Sequence, residues 1–321
     1  MPHRIVSLLP SATEIVCALG ARGELVGVSH ECDHPGDVVG LPVLTSPKFG
    51  KQSSSAAIDG AVRDVVREAL AVYDIDTQRL GELAPDVIVT QDLCDVCAVS
   101  IQDVRAAVAR LAHRDSIEVV SLSPTCLDDI WADVRRTAQA LGRRADGERV
   151  VEQALARIEA VRGRAARAAA ASGTRPRVLS IEWLEPVMVG GMWMPELIDI
   201  AGGTPMVTQP RDHAPTLSRE RLEALDPEVV LIKPCGYPLA ESFRELALLP
   251  RVLPWDRWNA VAAGRVYLAD GNAYFNRPGP RIVDSLEILA ACIAPDAFAD
   301  FRAAHAPAVR RIRRDLVPEA W

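Results

Sequence analysis

An α/β fold of two Rossmann-like lobes with parallel sheets, joined by one long helix, is predicted by three features of the 321-residue sequence. Short β-rich apolar runs alternate with segments of helical periodicity, the signature of parallel strands with crossover helices. The order of these runs repeats in the two halves. Between the halves lies an Ala-, Arg- and Glu-rich stretch with few glycines and no proline, which reads as a single helix. A chain of this length also exceeds what one hydrophobic core usually supports, so two domains are the default.

The first lobe, residues 1–144, has strand-like runs at Arg4–Leu9, Leu25–Ser29, Val87–Thr90 and Val119–Leu122. The second, residues 173–321, has them at Val178–Ile181, Val187–Val189, Val229–Ile232 and Val266–Leu268. Two echoes align the halves: Arg4-Ile-Val-Ser7 returns as Arg177-Val-Leu-Ser180, and Leu83-Ala-Pro-Asp-Val-Ile-Val89 returns as Leu225-Asp-Pro-Glu-Val-Val-Leu231. From Arg4 to Pro85 is 81 positions and from Arg177 to Pro227 is 50, so the first lobe carries about 31 extra residues. That surplus falls at residues 46–76, as a loop, Lys48–Ser55, and a helix with Ile58, Val62, Val65, Val66, Ala69 and Leu70 on one face. The connecting segment, 145–172, is one helix; its stretch from Asp146 to Ala171, about 26 residues, spans roughly 39 Å. Ser172-Gly-Thr-Arg-Pro176 then ends it with turn chemistry.

Apolar residues make up 49% and charged residues 25% of the chain, the usage of a globular protein and not of a disordered or fibrous one. The net charge is -7 with arginines scattered among acidic residues, which argues against a nucleic-acid surface. No run of about 18 apolar residues is present, so no membrane insertion is expected. The apolar stretch Ile5–Leu9 is too short for a secretory h-region, which predicts a cytoplasmic protein and argues against docking to a transporter. Seven cysteines, an odd number, then favour free thiols or metal ligands in a reducing compartment over a disulfide framework.

In open parallel sheets a ligand sits beyond the carboxyl ends of the strands. The residues there are Ser11 and Thr13 after the first strand, His30, Glu31, Cys32 and His34 after the second, and Gln91, Asp92, Cys94 and Cys97 after the third, with Cys126 after the next. The second lobe contributes Glu182, Trp183, Met192, Trp193, Cys235, Tyr237, Asn272, Tyr274, Phe275 and Arg277. Cys94-Asp-Val-Cys97 has metal-ligand spacing, and Cys32 and Cys235 could complete a thiolate set suited to zinc or an iron–sulfur cluster. A redox thiol pair and plain packing fit the same cysteines. His30 and His34 are suited either to a metal, such as the cobalt of a corrinoid, or to hydrogen-bonding the loop around Pro35. Ser11-Ala-Thr-Glu14 has the form of a capping box that starts a helix. Trp183, Trp193, Tyr274 and Phe275 suit a flat, partly apolar ligand such as a corrin or haem, whereas Trp255 and Trp258 are expected to pack. No phosphate loop or complete G-x-G-x-x-G is present, so no nucleotide is implied, and no Ser-His-Asp set can be assembled.

Several segments in order, Arg4-Ile-Val-Ser-Leu-Leu-Pro-Ser-Ala-Thr-Glu14, Val26-Gly-Val-Ser29 with Cys32-Asp-His-Pro35, Leu83–Val89, Gly202-Gly203, Leu217-Ser-Arg-Glu220 and Tyr274-Phe-Asn-Arg277 with Pro280-Arg-Ile282, resemble the class III periplasmic binding proteins. These are the helical-backbone metal receptors, and the resemblance is to their cobalamin-binding type. It implies a protein that holds cobalamin or a related metal chelate between two lobes, with the Tyr274–Arg277 loop facing the ligand. Gln91–Cys97 departs from the pattern, standing where cobalamin receptors place an aromatic contact. The alternative is a metal- or iron–sulfur-dependent enzyme or redox protein using Cys94 and Cys97, since nitrogenase-like proteins share this architecture.

Overall fold

The structure, a computed structural model, describes residues 2–48, 54–67, 73–92, 101–111 and 116–321. The chain forms two compact units, one mainly from residues up to Ala154 and one mainly from Leu155 on; Ser54–Ala56 belong to the second and Pro278–Pro280 to the first. Among the described residues no helix is long and apolar enough to cross a membrane.

In the first unit, β1 (Ile5–Ser7), β2 (Leu25–Val28), β5 (Val87–Gln91) and β6 (Glu118–Leu122) form a parallel sheet in the order β2-β1-β5-β6. Every residue of β1 and β5 is buried, as strands covered on both faces must be. Val6, Leu8, Leu44, Leu80, Ile88 and Val104 form the core on one face. Within the segment that carries the extra residues, β3 (Thr45–Pro47) pairs antiparallel with β4 (Tyr73–Ile75), and α2 (Ser55–Arg67) lies between them in sequence.

The first helix, α1 (Pro10–Ala18), does not start with the capping box. Its N-cap is Leu9, which makes no side-chain cap bond, and Pro10 occupies the first helical position. Proline there brings a pre-set φ and has no N–H to satisfy, so Ser11 falls inside the helix and Glu14 a full turn on. A side-chain cap does open α3 (Thr77–Leu83), where the Asp76 carboxylate accepts from the Arg79 N–H at 2.9 Å. After α4 (Ile101–Val108) and α5 (Leu127–Ala140), the connecting segment forms α6 (Arg144–Ser172), 29 residues long, which begins in the first unit and ends in the second. Val151, Ala154, Ile158, Val161 and Ala165 mark its buried stripe at helical spacing.

In the second unit, β7 (Arg177–Trp183), β10 (Val229–Ile232) and β11 (Val266–Ala269) are parallel, and β9 (Thr204–Pro205) pairs parallel with β7. The strand expected at Val187–Val189 forms as β8 (Met188–Val189) but runs antiparallel to β7. Only residues 184–187 separate the two strands, and a parallel return needs a crossover of a dozen residues or more. At the far edge β12 (Val309–Ile312) and β13 (Pro318–Glu319) are also antiparallel additions. Trp255 and Trp258 pack in the core with Leu179, Ile181, Val230 and Ile232, their indole N–H groups donating to the Arg314 and Leu222 carbonyls.

The sequence echo has a physical basis. Arg4 N–H donates to the Asp86 carboxylate and Asp86 N–H to the Arg4 carbonyl, both at 2.9 Å; Arg177 and Glu228 repeat the exchange at the same distances. Each exchange fixes the entry of a parallel pair, β1 with β5 and β7 with β10.

Two glycines of α6 should respond in opposite senses to alanine. A Cβ on Gly147 would lie 2.5 Å from Ala138 Cβ of α5, whereas Gly163 has only the mobile end of Arg167 at 3.5 Å. Gly147→Ala should lower stability by about 1–3 kcal/mol through overpacking. Gly163→Ala should raise it by up to about 1 kcal/mol through helix propensity. Urea unfolding of the two variants checks this, and a stabilised Gly147→Ala would contradict the close helix approach.

Candidate functional site

In the first unit the chain leaves β1 toward β2 on one side and returns to β5 on the other, so the strand order reverses at β1. In the second unit it does so at β7, between β9 and β10. Ligand sites in α/β sheets form at the carboxyl ends of such strands. The side chains found there are described for each unit in turn.

At the edge of the first unit two hydroxyl chains run inward. Thr13 Oγ1 lies 2.8 Å from Ser7 Oγ and 3.1 Å from Cys32 Sγ, all three buried. Beside it, Thr45 Oγ1 is 2.7 Å from His30 Nδ1, accepts the His30 backbone N–H at 3.1 Å, and donates to Ser29 Oγ at 3.1 Å. The His30 ring leans on Tyr73, centroids 5.2 Å apart, and its outer side is exposed. Burial of its inner side lowers its pKa below the ordinary histidine value, which favours the neutral ring. The Tyr73 hydroxyl reaches toward Glu31 at 3.4 Å. Gln91 is buried at the end of β5 and Asp92 is exposed; Ser11 is buried in α1 and His34 exposed. Cys94 and Cys97 lie outside the described residues, and Cys126 is buried ahead of α5.

The edge of the second unit is organised by a residue absent from the sequence-derived set. Lys233 follows β10 directly and is 1% exposed, with Nζ donating to Glu182 Oε2 at 3.0 Å and to Asn276 Oδ1 at 2.8 Å. Asn276 in turn donates through Nδ2 to the Gly271 carbonyl at 2.7 Å. Gly271 passes so close to Pro234 that a Cβ would sit 1.9 Å from its carbonyl oxygen. One ammonium thus ties together the ends of β7 and β10 and the loop after β11. The signal was present in the sequence as Val229-Val-Leu-Ile-Lys233, a lysine ending an apolar strand, and Asn276 stood within the quoted Tyr274–Arg277 loop.

Around this knot, Trp183 meets Tyr237 edge to face at 5.4 Å and donates its indole N–H to the Ser55 carbonyl at 3.3 Å. The Ser55 N–H donates to Glu245 at 2.6 Å. Burial first, and then the charges of Glu245 and Glu241, push the Tyr237 hydroxyl up to about 12. Trp193 and Phe275 are buried and joined, the Trp193 indole N–H donating to the Phe275 carbonyl at 2.8 Å. Met192 and Phe275 both take positive φ, at 53° and 67°. Tyr274 is half-buried against His305, with the Arg281 guanidinium 4.9 Å above its ring. Arg277 is buried and donates to Asn272 Oδ1 at 2.9 Å, and Cys235 is exposed. The partly exposed groups are Glu182, Trp183, Met192, Asn272 and Tyr274. Among the described residues no group of three or more His, Cys, Asp or Glu side chains is placed to hold a metal ion.

The model of the periplasmic binding protein family matches residues 5–273, most of the chain. The chain belongs to that family. Its periplasmic-binding-protein fold is shared with a periplasmic heme-binding protein from Pseudomonas aeruginosa, at 22% identity, a TM-score of 0.68 and coverage of 92% of this chain and 94% of that one. It is shared also with the periplasmic vitamin B12 binding protein BtuF of Vibrio cholerae, at 18% identity, a TM-score of 0.63 and coverage of 92% and 98%. In sequence the chain is similar to YvrC of Bacillus subtilis, an ABC transporter substrate-binding lipoprotein, at 21% identity over 92% of this chain and 82% of that protein. The protein is therefore a substrate-binding protein related to those of ABC transporters.

The family overturns the cytoplasmic expectation. That expectation rested on the shortness of the apolar stretch Ile5–Leu9 as an export signal, whereas the matched family is that of the periplasmic binding proteins and the relative YvrC is a lipoprotein. The reducing compartment inferred from it falls as well, and with it that argument against transporter docking.

The buried ammonium gives a direct test. Lys233→Met leaves the Glu182 carboxylate without its partner and should cost about 3 kcal/mol, the low end for breaking a buried pair because Glu182 keeps some solvent contact. Adding Glu182→Gln should recover part of that loss. Urea unfolding of single and double variants reads it, and a Lys233→Met protein as stable as the parent would contradict the role given to Lys233.

Proposed function

We propose that the protein binds cobalamin or a related metal chelate at the carboxyl edges of its parallel strands and serves an ABC transporter as its substrate-binding component. The observation that carries this reading is the edge of the second unit, where the partly exposed Trp183 ring is braced edge to face by the buried Tyr237 ring and the neighbouring carboxylate of Glu182 is held by Lys233. Rings with fixed orientation suit the face of a flat macrocycle, and a few placed polar groups suit its periphery. Ordering these groups before the ligand arrives lowers the entropy lost on binding. The heme and vitamin B12 named for the two structural neighbours are ligands of this chemical kind.

Met192, Asn272 and Tyr274, also partly exposed, are the further residues assigned to the ligand in this reading. Trp193, Phe275 and Arg277 support them from within, through the Trp193-to-Phe275 and Arg277-to-Asn272 hydrogen bonds. In the first unit, His30, Glu31 and Asp92 are the counterparts at the strand ends.

Titration with hydroxocobalamin and with haemin, followed by quenching of tryptophan fluorescence, tests the proposal. One of the two should bind saturably, and Trp183→Ala should weaken that binding by about tenfold, the loss of about 1.4 kcal/mol of aromatic contact. No saturable binding of either chelate would sink the reading.

A further inference from the structure

We infer that Arg157, on the connecting helix α6, is a positioning residue for the ligand: acting through His305 and Arg281, it holds the Tyr274 ring in the orientation that meets the chelate. The inference rests on the chelate-binding reading above, which assigns Tyr274 to the ligand. All four residues belong to the second unit. The Tyr274 ring is walled on two sides. The His305 ring meets it edge to face, with centroids 6.3 Å apart and 79° between the planes. The Arg281 guanidinium lies over it, 4.9 Å from the centroid.

Both walls lead back to one guanidinium. His305, which ends the helix Ala299–Ala304, places Nε2 2.9 Å from Glu287 Oε2. The other oxygen of that carboxylate, Oε1, accepts from Arg157 Nε at 3.1 Å and from Nη2 at 2.8 Å. Arg157 Nη2 also donates to Asp284 Oδ1 at 2.7 Å, and Asp284 Oδ2 lies 4.0 Å from Arg281 Nε. Glu287 and Asp284 thus each give one oxygen to Arg157 and the other to a residue packed on Tyr274. The contacts close into a ring that runs Tyr274, His305, Glu287, Arg157, Asp284, Arg281 and back to Tyr274.

Ion pairs that only stitched α6 to the helix Ile282–Ile293 would end at the two carboxylates. Here each carboxylate passes the contact on, and both arms finish on the same ring. The Glu287 arm is well made: burial works against its charge, but the hydrogen bonds from His305 and Arg157 outweigh that and hold its pKa below the ordinary glutamate value. The loop backbone has its own anchors. The Asp270 carboxylate accepts the Asn272 and Ala273 N–H groups at 3.0 and 2.8 Å, and the Phe275 N–H donates to Ser285 Oγ at 2.8 Å. What the Arg157 ring adds is therefore the orientation of the Tyr274 side chain. An aromatic ring held in one rotamer before the ligand arrives loses less entropy on binding.

The test is a double-mutant cycle on the affinity for hydroxocobalamin or haemin, whichever the parent binds, read by tryptophan quenching. Its members are the parent, Arg157→Met, Tyr274→Ala and the double variant. Arg157→Met should weaken binding about fivefold, the size of one aromatic or cation–π contact, and should weaken it no further once Tyr274 is alanine. That non-additivity separates positioning from a general loss of fold, which would persist in the Tyr274→Ala background. If Arg157→Met does not fold, His305→Ala, which cuts one arm of the same ring, is run through the same cycle and decides. Equal losses in both backgrounds, no loss in the single variant, or a Tyr274→Ala protein that binds as the parent does overturns the inference and leaves the chelate-binding reading in place. Absence of binding of either chelate to the parent overturns both.

Discussion

Parallel pairing is the constraint from which the rest follows. Strands that all point the same way deliver every carboxyl end to one edge of the sheet, and the loops there must be built from what each strand leaves behind. In this protein the direction and register of each pair are set at the opposite end, by Arg4 with Asp86 and by Arg177 with Glu228, through the same reciprocal backbone and carboxylate bonds. The strands between are almost wholly apolar and buried, so they tolerate little slippage. Polar chemistry is thereby pushed to the strand exits. There the two hydroxyl chains of the first unit and the Lys233 knot of the second are found.

The two edges solve the problem of polar groups near a core in different ways. In the first unit neutral hydroxyls pass hydrogen bonds from Ser29 and Thr45 out to an exposed imidazole, at small desolvation cost. In the second a full charge is buried. Lys233 is worth its desolvation only because Glu182 and Asn276 accept from it, and in doing so it fixes the backbone on which Trp183 and Cys235 stand. A site ordered before its ligand arrives loses less entropy on binding, which suits a substrate-binding protein.

Much of this was legible in the sequence because it is written in backbone terms. The repeated Asp-Val and Glu-Val after proline mark the strand entries, and the helix from Arg144 to Ser172 follows from composition and spacing. What was not legible depended on tertiary neighbours or on geometry one residue finer. Pro10 displaced Ser11 from the cap that its pattern suggested. The four-residue link between β7 and β8 forced an antiparallel return where apolarity alone suggested another parallel strand. Trp193 and Phe275 looked like ligand aromatics but bond to each other in the interior. Lys233 is not legible because a lysine after an apolar strand reads as a solvated end unless its partners, 51 and 43 residues away, are known. Location is legible through the family and not through the short apolar stretch Ile5–Leu9.

The central claim is that one edge of each sheet is the ligand surface. Hydrogen–deuterium exchange of the whole protein with and without hydroxocobalamin or haemin measures it most directly. The account predicts slowed exchange in the peptides holding residues 29–34, 182–193, 233–237 and 271–277, with the strand entries at Arg4, Asp86, Arg177 and Glu228 unchanged. Protection centred on those entries, or on the outer antiparallel strands near residues 309–319, would contradict it.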